Sequence, residues 1–537
     1  MPGNAACANN GRFPAPLFWA GHDLKQAVMI DLLLSIAAVL YIVCALLLAI
    51  FIGSFGVLLV IYLFKRAEPL VLPDVSDEAL PSVTIQLPIY NEAHVVGRLI
   101  EACARLDYPV DRLHIQVLDD SNDETTTVIR HKIAECQARG FQAISLNRRI
   151  LRAGYKAGAL AYGLYKVKTD FVVVFDADFV PPPDFLRRVI PHFHTDDRLA
   201  LVQTRWDHLN AGYNWLTRIQ ALTIDNHFVI EQAARSRGHL PMSMNGSGGV
   251  WRVSALKDAG GWSAATLAED LDISYRALLR GWRFLYLPAV TAPGEIPPQV
   301  QAYKIQQRRW ATGMTECLIR HALPLLRSER YPLGYKLMGL AHLSQFAVQP
   351  FILLMFLLTP LLIAGEMFHR LPNLSLLGVV SAIPLVMMAL AQRALYPDWR
   401  HRLLFLPLQG AVGAGMVVNN TYGVLMALHR RSVIREFKRT PKFNLVHQGQ
   451  RWARSRYALP VDAIMLGEIV LGIYAVLGLA LALRHLPALA FYMLSYVLSF
   501  WGLAGWNILQ THRAGLRLSR QSAAALPGEN AGYVGRG

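Results

Sequence analysis

Between Leu32 and Phe64 the chain carries no charged residue, and this run decides which environment the polypeptide must accommodate. Roughly 20 consecutive apolar residues suffice to cross the hydrocarbon of a bilayer as a helix. The run is longer than that, so it reads as one long helix, tilted or extended, because two full spans and a turn would be cramped. It is too long, and too far from the N-terminus, for a secretory signal. Apolar residues make up 53% of the 537 and charged residues 17%, a balance that leans towards a membrane protein. The composition is segregated, however: from about 82 to 330 the pattern is that of a water-soluble α/β domain.

The formal net charge is +16. The positive residues gather beside apolar segments, as in His429-Arg430-Arg431 and from Arg435 to Lys442. Lipid headgroups and the cytoplasmic bias of basic residues account for such clusters. No nucleic-acid-binding motif accompanies them, so no nucleic acid is expected as a partner. The five cysteines, Cys7, Cys44, Cys103, Cys136 and Cys317, form no CxxC pair or metal-ligand spacing. Reduced thiols are expected.

The organisation follows from these patterns. Residues 1–27 read as an N-terminal tail, 28–64 as a transmembrane segment and 65–81 as a Pro-containing linker. Within 82–330, apolar strands at 82–88, 114–118, 141–146, 171–175 and 199–204 alternate with helices near 93–106, 124–139 and 155–167. That alternation predicts a mainly parallel, doubly wound sheet, whose ligands bind at the carboxyl ends of the strands. Residues 331–510 read as a second membrane region with spans at 349–366, 373–392, 461–483 and 487–509. The stretch 403–427 is apolar but interrupted by Gln409, Asn419 and Asn420, and is read as an interfacial helix. Charge asymmetry then puts the basic loop 428–456 and the tail 511–537 on the side of the soluble domain, with the N-terminus outside.

Several polar motifs fall at the expected ligand edge. Asp176-Ala177-Asp178 follows an apolar strand; two carboxylates so placed can share one divalent cation, and Mg²⁺ takes one or two carboxylates plus phosphate oxygens. Solvated strand-end acids are the plain alternative. Asp119-Asp120-Ser121 can accept hydrogen bonds from a nucleoside or cap a helix. Lys156 lies between Gly154 and Gly158, where it can meet phosphate, although the spacing is not that of a Walker A loop. Glu269-Asp270 opens a helical stretch; a carboxylate there can serve as a general base or simply favour the helix N-terminus. The loop Asn245–Gly249 before Trp251 allows close approach of a sugar or makes a plain turn. Finally, Gln306-Gln307-Arg308-Arg309-Trp310 is an odd polar pentad to place beside a membrane. An indole covers the apolar face of a pyranose and amides satisfy its hydroxyls.

The ordered set is more specific than any member. It includes Gln86-Leu87-Pro88-Ile89-Tyr90-Asn91-Glu92, Gln116–Ser121, Gly154–Leu160, Phe175–Phe179, Val202–Trp206, Gly249–Arg252, Ala268–Asp272 and the pentad. In this order the chain resembles the processive inverting glycosyltransferases of family 2, among them cellulose, hyaluronan and chitin synthases. It is most similar to plant cellulose-synthase-like glucomannan and glucan synthases. The likeness is dense over roughly 82–320. Phe437-Lys438-Arg439-Thr440-Pro441-Lys442 also resembles the FxVTPK gating loop of bacterial cellulose synthases, with Arg439 in place of Val. The Thr usual before Glu-Asp is Ala268 here. No PilZ-like module is seen.

The resemblance implies a GT-A type doubly wound mixed sheet inserted between transmembrane helices. It implies Asp270 as the catalytic base, and Asp176 and Asp178 as ligands of Mg²⁺ or Mn²⁺. Asp119, Asp120, Lys156, Glu269, Gln306, Arg309 and Trp310 are its substrate-binding residues. The donor would be a nucleotide sugar, UDP-glucose or GDP-mannose, and the acceptor a growing β-linked glycan. One base without a second carboxylate nucleophile implies inversion at the anomeric carbon. The enzyme would sit in the cell (inner or plasma) membrane as a multi-pass protein with a cytoplasmic catalytic domain. A glycolipid synthase adding one sugar to a lipid, or a silent nucleotide-binding membrane protein, are the alternatives.

Overall fold

The computed structural model describes residues 17–65, 72–373, 375–429, 439–445, 452, 455 and 457–513. Of the candidate gating segment, Phe437 and Lys438 lie outside the described residues, as do residues 1–16 and 514–537.

Helix α1 runs from Leu17 to Phe64 without a break, so the helix begins inside the stretch expected as a tail. Its apolar part, Val28–Phe64, has 37 residues, about 55 Å of helix at ~1.5 Å per residue. The chain then enters a seven-stranded sheet. Its strands are β1 (Val83–Ile89), β2 (Leu113–Asp119), β3 (Ile144–Arg148), β4 (Phe171–Val174), β5 (Leu199–His208), β6 (Gly249–Arg252) and β7 (Arg283–Gly294). The spatial order is β3-β2-β1-β4-β6-β5-β7.

The first strands are apolar runs because helices cover both faces of the sheet; in β1 and β4 every residue but one is buried. Two buried clusters form the core: Ile85, Val117, Val173 and Phe185 belong to one, and Leu160, Val172, Val174 and Trp251 to the other. β1 pairs in parallel with β2 on one side and β4 on the other. The chain winds outwards to β3, then returns to β4 across β1, which makes the β1/β4 edge a topological switch point. Register aligns the ends: Ile89 faces Asp119, and Gln86 faces Val174. β6 runs antiparallel to both β4 and β5, so the sheet is mixed. The architecture is a mixed, doubly wound sheet with helices.

Four further helices frame the ligand edge and the apolar region. These are α2 (Tyr155–Tyr165), α3 (Glu269–Leu279), α4 (Val300–Arg327) and α5 (Leu333–Leu343). Beyond them come α6 (Gln349–Ala364), α7 (Val417–His429), α8 (Ile464–His485) and α9 (Ala490–Arg513).

Among the described residues four helices are long and apolar enough to cross a membrane: Val28–Phe64, Gly378–Leu395, Ile464–His485 and Pro487–Arg513. The span expected at 349–366 is α6, which has only 16 residues and Pro360 inside it, about 24 Å against a hydrocarbon core of about 30 Å. The stretch expected as one interfacial helix over 403–427 is instead a pair, Trp399–Gly415 and α7, bent by 42°. Two of its contacts run inwards to α4. Buried Asn419 donates to the Lys304 carbonyl at 2.9 Å, and the Gly423 carbonyl accepts from Thr312 at 2.9 Å. α7 is thereby fixed against α4, the helix that carries the pentad.

Candidate active site

The carboxyl edge of β1, β2 and β4 forms the floor of an open cleft with a cavity volume of about 190 Å³. The walls come from the Asn245–Gly248 loop, the start of α3, the second turn of α4 and the Arg439–Leu445 segment. Of the residues singled out from the sequence, Asp120, Lys156, Asp176, Asp178, Glu269, Asp270, Gln306, Arg309 and Trp310 all line it.

Asp119 is the exception: it does not line the cleft. It is fully buried at the end of β2. Its carboxylate accepts from Ser121 N at 2.9 Å and Thr126 Oγ1 at 2.6 Å, and pairs with Arg148 at 3.3 Å. Successive residues of a strand face opposite ways, so only one member of the Asp119-Asp120 pair can face the cleft. Asp120 does, held by Arg149, whose Nε donates to it at 3.0 Å.

Lys156, in the first turn of α2, organises the centre. Its Nζ lies 2.8 Å from Asp176 Oδ1 and 3.2 Å from Glu269 Oε1, and donates to the Gly246 carbonyl at 3.1 Å. Burial opposes its charge, but Asp176, Glu269 and Asp270 together outweigh that and hold its pKa above the ordinary lysine value. Gly246 has φ +78°, and a β-carbon there would stand 3.3 Å from Asp270 Oδ2, 3.6 Å from Lys156 Nζ and 3.9 Å from Asp176 Oδ2. The positive φ and the tight approach to Asp270 favour glycine at this point of the loop. Ser247 from the same loop accepts from Asp176 N at 3.1 Å, which ties the loop to the end of β4.

Asp270 sits in the first turn of α3, where the backbone dipole favours acids. Even so, removal from bulk water, and then the neighbouring Glu269, push its pKa up to about 7, with Lys156 pulling the other way. Enclosure likewise raises Asp176, against the pull of Lys156. The Arg309 guanidinium is moved below its usual value by burial, with Glu269, Asp176 and Asp270 offsetting part of that cost.

The second acid of the DAD motif has a different environment. Asp178 Oδ2 accepts from Glu295 N at 3.1 Å and pairs with Lys442 Nζ at 2.7 Å. Arg439 pairs with Glu92 at 3.0 Å, and burial pushes Glu92 up to about 8 despite that partner. Thus the segment that resembles a gating loop lies across the cleft, bound to Glu92 and Asp178. Sequence reasoning gave no role to Glu295, Arg152, Tyr90, Trp206 or His208, which also line the cleft. Arg152 stacks 3.3 Å over the Tyr90 ring, and Trp206 donates to the Ser247 carbonyl at 3.0 Å. A Trp-Asp-His run closing an apolar strand was the available signal for the last two.

Among the described residues no group of three or more His, Cys, Asp or Glu forms a metal cage. Two carboxylates two residues apart nevertheless fit an ion that arrives already coordinated by a diphosphate, since Mg²⁺ needs few protein ligands in such sites.

Residues 81–313 match the family model described as Glycosyltransferase like family 2. It is 39% identical over 268 residues to a probable glucomannan 4-beta-mannosyltransferase 10 of Arabidopsis thaliana, covering 49% of this chain and 48% of that protein. It is 42% identical over 255 residues to glucomannan 4-beta-mannosyltransferase 2 of the same plant, covering 47% of each. With glucomannan 4-beta-mannosyltransferase 1 of Oryza sativa subsp. japonica the identity is 40% over 271 residues, 49% of this chain and 51% of that one. The chain thus spans about half the length of the curated relatives it matches. A solved mannosyltransferase from Pyrobaculum calidifontis, in complex with GDP-Man and Mn2+, is 20% identical with a TM-score of 0.47, covering 72% of this chain and 99% of that one.

Proposed function

We propose that this chain is a membrane-embedded inverting hexosyltransferase that elongates a β-linked mannan or glucan from a nucleotide-diphospho sugar. The observation that carries the proposal is the convergence of Asp270, Lys156 and Asp176 on Gly246, in a cleft whose far wall is Gln306, Arg309 and Trp310. The names of the curated relatives support a mannosyl donor and a 4-β-linked mannosyl product.

The chemistry is a single displacement. The acceptor hydroxyl oxygen attacks the anomeric carbon, the bond from that carbon to the diphosphate oxygen breaks, and the bonding pair leaves with the nucleoside diphosphate. Asp270 takes the hydroxyl proton; a base whose pKa lies near the working pH is suited to this. Lys156 holds Asp176 and Glu269 in place. Arg309 and Lys442 are placed to balance charge on the leaving diphosphate. Asp178 and Asp176 would hold a divalent cation, Mg²⁺ or Mn²⁺, whose positive charge further stabilises that leaving group. Trp310 and Gln306 would seat the acceptor sugar. Arg439, Thr440 and Lys442 line one wall of the cleft, and the ion pairs to Glu92 and Asp178 must exchange for a nucleotide sugar to fill the site.

The deciding experiment feeds purified membranes with labelled GDP-mannose and UDP-glucose, followed by linkage and length analysis of the product. A long β-linked polymer supports the proposal. A single sugar on lipid would replace it with the glycolipid synthase reading, and no turnover of either donor with Mg²⁺ or Mn²⁺ would overturn it.

A further inference from the structure

A second, larger cavity of about 980 Å³ opens beside β7, and its lining shares no residue with the catalytic cleft. Six cationic or titratable basic side chains line it: Arg235, Arg237, Arg283, Arg330, His192 and His239. Asp196 is the single carboxylate of the lining and is already paired with Arg283 at 3.2 Å. Such an excess of arginine around one concavity suits an anion with several acceptor oxygens.

Two buried groups in the lining are unsatisfied. Arg235 is 1% exposed and Tyr286 2%. Arg235 NH1 donates to the Pro241 carbonyl at 3.0 Å, but neither its Nε nor the Tyr286 hydroxyl has a hydrogen-bond partner among the described residues. Buried polar groups are normally partnered, and an orphan calls for an explanation such as an absent ligand. Gly281, with φ +88°, leaves room for the Arg330 guanidinium; a β-carbon there would come within 2.5 Å of it. The loop is shaped to keep that charge at the cavity.

The position of the cavity indicates where its ligand resides. Arg237 donates to the carbonyl of Tyr62 at 2.9 Å and lies 4.8 Å from that ring, two residues from the end of the long apolar helix α1. On either side of Arg330, Leu323, Leu326, Leu333 and Leu337 are exposed, and Tyr331 stacks on Tyr335 with centroids 4.0 Å apart. Exposed leucines, stacked tyrosines and arginines together are the signature of a surface that meets lipid headgroups.

We propose that this cavity binds a phosphate-ester anion, with the headgroup of an anionic phospholipid as the source its surroundings favour. The site stands apart from the transfer reaction and does not depend on the sugar transferred.

The test uses the full chain purified in detergent, stripped of lipid and titrated with phosphatidylglycerol, phosphatidylcholine or inorganic phosphate. Phosphatidylglycerol should bind tightly and phosphatidylcholine weakly. The exposed pair Arg283→Gln with Arg330→Gln should weaken phosphatidylglycerol about 30-fold, taking each arginine at its usual worth near an anionic surface. Tyr286→Phe, which removes one hydroxyl and keeps the ring, should weaken it further in the same direction. Saturable binding of inorganic phosphate, lost in the double variant, with no preference between the two lipids would identify a soluble phosphate ester at the same site. Equal binding of every ligand by wild type and both variants would overturn the proposal, and since catalysis is not the readout, that failure is separate from any failure of the transferase assignment.

Discussion

The backbone of Gly246 passes so close to Asp270 that a β-carbon would lie 3.3 Å from its Oδ2. The substitution Gly246→Ala therefore combines a contact at the base with an unfavourable positive φ. It should cost about 1–2 kcal/mol of stability, read as a lower Tm, and should lower kcat more than it raises the KM for donor. An unchanged kcat would show that the loop does not set the position of the base.

Asp270→Asn keeps size and hydrogen bonding but removes the proton acceptor. Transfer should fall by about 10²–10⁴-fold, with nucleotide affinity, measured by calorimetry, within about twofold of wild type. Wild-type rates in this variant would remove Asp270 from the mechanism.

The raised pKa of Asp270 also has a sign. The carboxylate must be ionised to accept the proton, so kcat should climb with pH along an acid limb centred near 7. The same shift opposes folding: stability tied to the protonated form is full below the unfolded carboxylate pKa of about 4 and is lost as pH rises through about 7. Asp270→Asn should accordingly raise Tm at pH 8 and leave it nearly unchanged at pH 4. A Tm gain of equal size at both pH values would contradict the assignment.

Chelation should abolish transfer and added Mn²⁺ or Mg²⁺ should restore it. Asp178→Asn should raise the metal concentration for half-maximal rate by about tenfold or more, a range seen when metal-site groups are altered. Because Lys442 pairs with Asp178 at 2.7 Å, Lys442→Met should move the same metal dependence in the opposite direction. Identical metal curves for all three proteins would place the ion elsewhere.

Trp310→Ala should shorten the product while changing donor affinity little. Comparable loss of both would mean that the indole serves the donor and not the acceptor.

Much of this cleft was legible in the chain because its parts follow strands buried on both faces. The runs ending at Ile89, Asp119 and Val174 are recognisable by composition alone, and register then delivers their next residues to one edge. Lys156, Glu269-Asp270 and the pentad lie on helices, and their order was legible only through the family resemblance. Asp119 could not be separated from Asp120, since which of two adjacent acids faces out depends on where the strand stops. β6 was missed because four residues, Gly249–Arg252, have no period of their own; they are a strand only through pairing with β4 and β5. The contact of Lys442 with Asp178 joins residues 264 positions apart, a distance at which local pattern is silent. The bend at 403–427 was hidden because the sequence shows that Asn419 is polar, but not that the Lys304 carbonyl awaits it.

Helix α1 has one more consequence. Its apolar part is about 55 Å long, whereas hydrocarbon cores differ by only a few ångströms around 30 Å. Its final turn belongs to the transferase domain, through the grip of Arg237 on Tyr62. In the membrane-embedded arrangement proposed above, the helix would act as a mast with its foot in the bilayer and its head bolted to the sheet. In that arrangement, membranes of different thickness would carry the cleft at different heights and attitudes above the lipid, and bilayer composition would become a mechanical input to the site.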